Sequence, residues 1–313
     1  VPAIAAVALV GLVAATVAGV LWVRRGASAG EARVGAARQV VAPGAFATLT
    51  AVPSQTPTPT STPTPAPAGS PTAGGMALAG GPPRFGTLAP GSALPSSAQC
   101  AAWVRALPFP ENKRVNRPFN QVTGQALAGD FFPDARAAAQ IGSRVDGAFT
   151  GTTREILRWA ACKWGIDEDI AYAQAAKESW WRQTNQGDFG GDASACPPGH
   201  GLGADGQPGQ CPQSYGILQD RFPYERSSWP GIARSTAMNA DTAYATWRAC
   251  FEGYEPWLNQ VDRGRQYGAG DAWGCVGRMF AGRWHTAPAD QYAAAVQAYQ
   301  AQRIWEQPNF QEP

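Results

Sequence analysis

The sequence predicts a mainly α-helical domain at residues 96–313, preceded by an apolar membrane-type segment at 1–25 and a disordered linker at 26–95. Three observations carry this. A helix start and stop are written out between Thr152 and Asp167, strand-like alternation is scarce throughout, and composition changes sharply near residue 95.

Residues 3–23 (AIAAVALVGLVAATVAGVLWV) carry no charge and exceed the roughly 20 residues that span a bilayer core. Arg24 and Arg25 follow directly. A cleaved signal peptide, cut near Ala27-Ser28-Ala29, is the competing assignment. Its apolar core is usually about 7–15 residues, so the length favours a retained transmembrane anchor. The next stretch has no charged residue from Gln39 to Pro83 and contains PSQTPTPTSTPTPAPAGSPT. Proline alternating with threonine and alanine buries no core and favours extended polyproline II, so it is expected to act as a spacer.

Eleven of the twelve tryptophans and all six cysteines lie beyond that linker. Thr152-Thr153-Arg154-Glu155 is a capping-box pattern opening a helix that runs to Trp164, with Ile156, Leu157, Ala160 and Trp164 on one face. Gly165 closes it, and Asp167 caps a second helix carrying Ile170 to Trp181. Residues 187–212, rich in Gly, Pro and Asp, are expected to form a loop or a small β element. Further helices are expected at Asn239–Phe251, Glu255–Arg263 and Pro288–Trp305.

Dispersed cysteines behind an export-type segment imply disulfides and an extracytoplasmic location. Cys196 with Cys211 and Cys250 with Cys275 would close short loops, and Cys100 with Cys162 would tie the leading segment to the first predicted helix. No cysteine pair has zinc-site spacing and only His200 and His285 are present, so no metal and no cofactor is expected. A net charge of +2 with no basic run beyond Lys113-Arg114 argues against nucleic acid as a partner.

Glu178 is the chemical centre of the sequence. It ends an alanine-rich helix, above Ala171 and Ala175 and beside Ser179, Trp180 and Trp181. Apolar neighbours disfavour a carboxylate, raise its pKa and keep a proton ready for a leaving oxygen. Asp188 and Asp192, on the loop that follows, are candidates for a second carboxylate holding a water. Equally, they suit the Gly-rich turns in which they stand.

The segment ILRWAACKWGIDEDIAYAQAAKESWW, followed by SYGILQ, resembles the helix–turn–helix Glu-Ser segment and cleft-lining tract of the lytic transglycosylase and goose-type lysozyme superfamily. The resemblance spans Thr152 to Trp305 and leaves residues 100–150 as a packed N-terminal extension. It implies a lysozyme-like fold, Glu178 as catalytic acid and base, and Ser179, Ser214, Tyr215, Gly216 and Gln219 along the cleft. Trp284 joins them as a sugar-stacking candidate with Trp180, Trp181 and Trp229, and His285 is placed at the cleft rim.

The family's Tyr-Asn-Ala-Gly segment is replaced here by Met279-Phe280-Ala281-Gly282. That departure leaves open which residue supports Glu178, with Tyr215, Tyr267 and Trp284 as candidates. The implied activity is cleavage of peptidoglycan between N-acetylmuramic acid and N-acetylglucosamine at the cell wall. A single-carboxyl transglycosylase would leave 1,6-anhydromuramoyl ends; a hydrolytic muramidase would use Asp188 or Asp192. A catalytically silent wall-binding module is the alternative from another class.

Overall fold

The computed structural model describes residues 84–127 and 131–312. The segment at 3–23 and the proline-threonine tract lie outside these residues. Among the described residues no helix is long and apolar enough to cross a membrane.

The chain packs onto the domain from Arg84 onward, so the expected linker boundary at 95 is corrected. Phe85 is buried and both its backbone groups bond to Glu168: its N–H donates to the Glu168 side-chain carboxylate at 3.2 Å and its carbonyl accepts from Glu168 N at 3.1 Å. Buried Arg248 donates to the carbonyls of Leu88 and Ala89 at 2.8 and 2.9 Å. Phe85, Leu88 and Leu94 supply the apolar side chains that the proline-threonine tract lacks, and Leu88 and Leu94 close over Gly165.

Helix α1 (Ser97–Arg105) is capped by Ser96, and short helices α2 (Arg117–Asn120) and α3 (Ala135–Gln140) follow. Helix α4 (Thr153–Trp164) has the full reciprocal capping box between Thr152 and Glu155 and ends at Gly165 in the left-handed region, φ 59°. Helix α5 (Glu168–Ser179) begins at Asp167. It stops two residues before the expected Trp181, because Trp180 and Trp181 both turn left-handed, at φ 58° and 60°.

Strands β1 (Gln186–Gly187), β2 (Ser214–Tyr215) and β3 (Asp220–Arg221) form a small antiparallel sheet in that order, with Gln186 opposite Tyr215 and Tyr215 opposite Asp220. This is the β element expected beside the glycine-rich loop. Helix α6 (Gly231–Arg234) leads into α7 (Thr236–Phe251), every residue of which is buried. Helices α8 (Ala272–Ala281) and α9 (Ala287–Ala301) complete the fold. Helix α4 packs on α1, α5 and α7, and α9 packs on both α5 and α8. The fold is mainly helical with a small sheet, as the sequence predicts.

Two helix expectations are corrected. Glu255–Arg263 holds only a 3₁₀ turn at Pro256–Asn259, where Glu255 is engaged by Arg278 and by the Tyr267 hydroxyl. The last long helix ends at Ala301, not Trp305, and Trp305 sits in a separate 3₁₀ turn. Helix α8 was not expected from its sequence.

The disulfides are Cys100–Cys162, Cys196–Cys211 and Cys250–Cys275, the expected pairing. They pin α1 to α4 and α7 to α8, and close the glycine-rich loop. Three such bonds suit an oxidising, extracytoplasmic environment.

Candidate active site

Glu178 stands in the last turn of α5, and the two left-handed tryptophans fix that turn. Trp181 is fully buried, donates its indole N–H to the Tyr172 carbonyl at 2.8 Å, and packs against Tyr172 and Phe310. Bulky residues at positive φ store strain and persist only where the surroundings hold them, and such residues concentrate at functional sites. Asp188 (φ 50°) and Gln219 (φ 55°) share this conformation nearby.

The carboxyl of Glu178 accepts a hydrogen bond from the hydroxyl of Tyr292 on α9. Burial pushes its pKa up to about 7; the Tyr292 bond and Lys177 pull the other way, and the charge of Asp188 adds to the rise. Tyr292 is itself kept protonated, chiefly by burial and then by the charge of Glu178. Behind it lies buried Gln174, whose amide donates to the Met279 sulfur at 3.3 Å. Met279 thus touches the support of Glu178 indirectly. Tyr215, Tyr267 and Trp284 do not provide that support: Tyr215 donates to the Pro212 carbonyl, Tyr267 to the Cys250 carbonyl, and Trp284 is buried beside Tyr267 and His285.

Asp188 is the carboxylate whose charge reaches Glu178. Its carboxylate accepts from the Ser214 hydroxyl at 2.6 Å and lies 3.7 Å from the Arg221 guanidinium. Asp192 instead caps the turn at Ala193–Ala195, accepting from both the backbone and the hydroxyl of Ser194, which is the turn-forming role the sequence also allowed.

Two further acids with raised pKa values, not singled out from the sequence, stand on and just after β3. Asp220 on β3 is buried, and one of its oxygens has no hydrogen-bond partner. Burial, then the charges of Glu225 and Glu178, hold its pKa well above the carboxylate range. Glu225 is pushed up to about 7 by burial, against the pull of Arg278 and a backbone hydrogen bond from Arg221. Neither has a local signature, because Asp220 is placed by the pairing of β3 with β2 and Glu225 by the turn after the small sheet.

The other expected cleft residues build the wall rather than offer free groups. The Ser179 hydroxyl donates to the Ile217 carbonyl at 2.8 Å and so ties α5 to the Gly-Ile-Leu-Gln tract. The buried amides of Gln183 and Asn239 hold the same tract: Gln183 accepts from Ile217 N at 3.0 Å, and Asn239 accepts from Leu218 N at 2.8 Å while donating to the Tyr215 carbonyl at 2.8 Å. Gly216 sits at φ 82°, where a β-carbon would collide with both amides. Only Gln219 in this tract keeps partial exposure, and its amide donates back to the Gly216 carbonyl at 2.8 Å.

A cavity of ≈ 710 Å³ borders the same tract at Tyr215 and is lined further by Phe119, Asn185, Gln186, His200, Trp229 and Arg234 among others. Glu178 does not line it. Of the four candidate stacking tryptophans, Trp229 alone borders this space; Trp181 and Trp284 are core, and half-buried Trp180 packs on Tyr299 and Phe310. His285 is held between Asp271 and Asp290, at 2.7 and 2.9 Å. Among the described residues, no cluster of His, Cys, Asp and Glu has the geometry of a metal site.

No protein-family model, no curated protein and no solved structure matches this chain.

Proposed function

We propose that this protein is a peptidoglycan lytic enzyme with a lysozyme-like helical domain, cleaving the glycosidic bond between N-acetylmuramic acid and N-acetylglucosamine by a transglycosylase mechanism. The observation that carries the proposal is the state of Glu178. Its half-buried carboxyl, with a pKa near 7 and a tyrosine hydroxyl on one oxygen, is poised both to give and to take a proton at neutral pH.

In this mechanism Glu178 protonates the glycosidic oxygen as the bond to the anomeric carbon breaks. The substrate's own N-acetyl oxygen attacks that carbon from the opposite face. Glu178, now a carboxylate, removes the proton from the 6-hydroxyl, whose oxygen displaces the N-acetyl group and closes a 1,6-anhydro ring. The proton lost to the leaving sugar is recovered from the hydroxyl, so no water is consumed. Tyr292 stabilises the carboxylate between the two transfers. Glycan strands of the wall are the partner, reached from a membrane-anchored or secreted position.

A second reading rests on Asp188. Its charge acts on Glu178, and Ser214 and Arg221 hold it in place. Such a carboxylate suits activation of a water by a hydrolytic muramidase. Mass spectrometry of digested wall separates the two: anhydromuramoyl ends support the transglycosylase, and reducing ends support the hydrolase. Glu178→Gln should abolish both products, and equal clearing of cell wall by this variant and the wild type would remove Glu178 from the mechanism.

A further inference from the structure

Large aromatic side chains open to solvent are few in this domain. Tyr224 is 75% exposed and Phe280 58% exposed, while the tryptophans among the described residues are buried or half-buried. Isolated exposed rings are common on protein surfaces and need no explanation. These two are not isolated from the chemistry. Phe280 lies flat on Tyr292, with ring centroids 4.7 Å apart and planes 1° from parallel, and Tyr292 donates to Glu178. Tyr224 lies under the Arg221 guanidinium at 5.2 Å, and Arg221 pairs with Asp188, whose charge acts on Glu178. Each exposed ring is therefore backed by a group that is itself one contact from the acid or from its neighbouring carboxylate.

A ring stacked on one face and open on the other is a fixed apolar platform. Tyr292 covers one side of Phe280 and holds it parallel, so the outer side meets solvent. Pyranose rings present a flat face of C–H groups, and burying that face against an aromatic ring releases water from both surfaces. Phe280 comes from α8 and Tyr224 from the turn after β3, so the two rings reach the acid from different parts of the chain.

We propose that Phe280 and Tyr224 are the sugar-stacking platforms of this site, one reaching Glu178 through Tyr292 and the other through the Arg221–Asp188 pair. The ligand is a β-1,4-linked N-acetylated glycan strand. The proposal rests on the sugar-cleaving role of Glu178 given above, and names residues that the chain's resemblance to known enzymes does not supply.

The test uses the full chain carrying Glu178→Gln, which binds without turnover, and a soluble, peptide-free glycan of alternating N-acetylglucosamine and N-acetylmuramic acid. Phe280→Ala and Tyr224→Ala, each added to that background, should weaken binding by about three- to tenfold. Phe280→Trp should retain affinity, which separates a lost platform from a disturbed Tyr292. Val261→Ala, at a side chain 83% exposed, should change nothing. Binding within twofold of the parent for both alanine variants would overturn the proposal, as would absence of glycan binding by the parent. Ring-dependent binding with no Glu178-dependent cleavage by the wild type would instead uphold the platforms and overturn the enzymatic reading.

Discussion

Tyr292 donates its hydroxyl to the carboxyl of Glu178 from a helix 114 residues further along the chain. The contact joins α5 to α9 at the point where the acid needs a partner that stabilises its charged form. It follows that Tyr292→Phe should raise the pKa of Glu178 further, because the hydroxyl bond is what opposes the effect of burial. The alkaline limb of the rate profile should move to higher pH, while the maximal rate falls about tenfold as the carboxylate loses its stabilising donor. A pH series of wall clearing checks both. A lowered rate with an unmoved limb would mean that Tyr292 acts only in packing.

That contact also explains where the sequence stopped being informative. Helix α4 and the start of α5 were legible because their signals are local: a capping box, a left-handed Gly165 and an Asp167 cap. Helix α8 was hidden because its sequence carries Gly274 and Gly277, which weaken helix propensity. The structure gives Gly277 a reason: a β-carbon there would come 2.7 Å from the Ala289 carbonyl oxygen, so the glycine lets α8 approach α9. Glu178 could be singled out from its neighbours in sequence, but Tyr292, Asp220, Gln183 and Asn239 reach the site through tertiary packing alone. Likewise Ser179 was expected to face substrate, whereas its hydroxyl is needed to join α5 to the Gly-Ile-Leu-Gln tract.

The raised pKa of Glu178 has a consequence for stability. Its usual value is 4.5 and its folded value about 7, so between these the folded state binds more protons than the unfolded one. Stability from this group is complete below 4.5 and is lost as pH rises through about 7. Glu178→Gln removes the cost of the buried charge. The variant should therefore gain stability over the wild type on going from pH 5 to pH 8, on the order of 2 kcal/mol given that the side chain is only partly buried. Urea unfolding at the two pH values measures it. A constant difference would show that Glu178 titrates normally.

Gly216 is held where a side chain does not fit. With φ at 82° and the Asn239 and Gln183 amides filling the place a β-carbon would take, Gly216→Ala should destabilise the domain by about 2–4 kcal/mol. The same substitution at Gly191, whose nearest neighbour to a β-carbon is the Gly209 carbonyl oxygen at 3.4 Å, should cost much less. Because the tract is hung from these two amides, Gly216→Ala should also lower wall clearing in protein that remains folded. Equal unfolding midpoints for the two variants would refute this account of the tract.

His285 clamps the starts of the two helices that carry Phe280 and Tyr292. Its Nε2 lies 2.7 Å from Asp271, which caps α8 by accepting from Gly274 N, and its Nδ1 lies 2.9 Å from Asp290 in the first turn of α9. An imidazole facing a carboxylate at each nitrogen must donate from both, and only the cation can. Burial pulls its pKa down, but the hydrogen bonds to Asp271 and Asp290 outweigh it and the net shift is upward from 6.5. The clamp is therefore complete below 6.5 and is lost as pH rises through the raised value. The side chain is 45% exposed, so solvent screening holds the effect to about 0.5 kcal/mol. A global unfolding measurement will barely register that, whereas amide exchange at the start of α8 should quicken above the transition in the wild type and be quick at every pH in His285→Ala. Exchange that is slow and independent of pH in the wild type would mean that the capping of α8 by Asp271 does not depend on the histidine's charge.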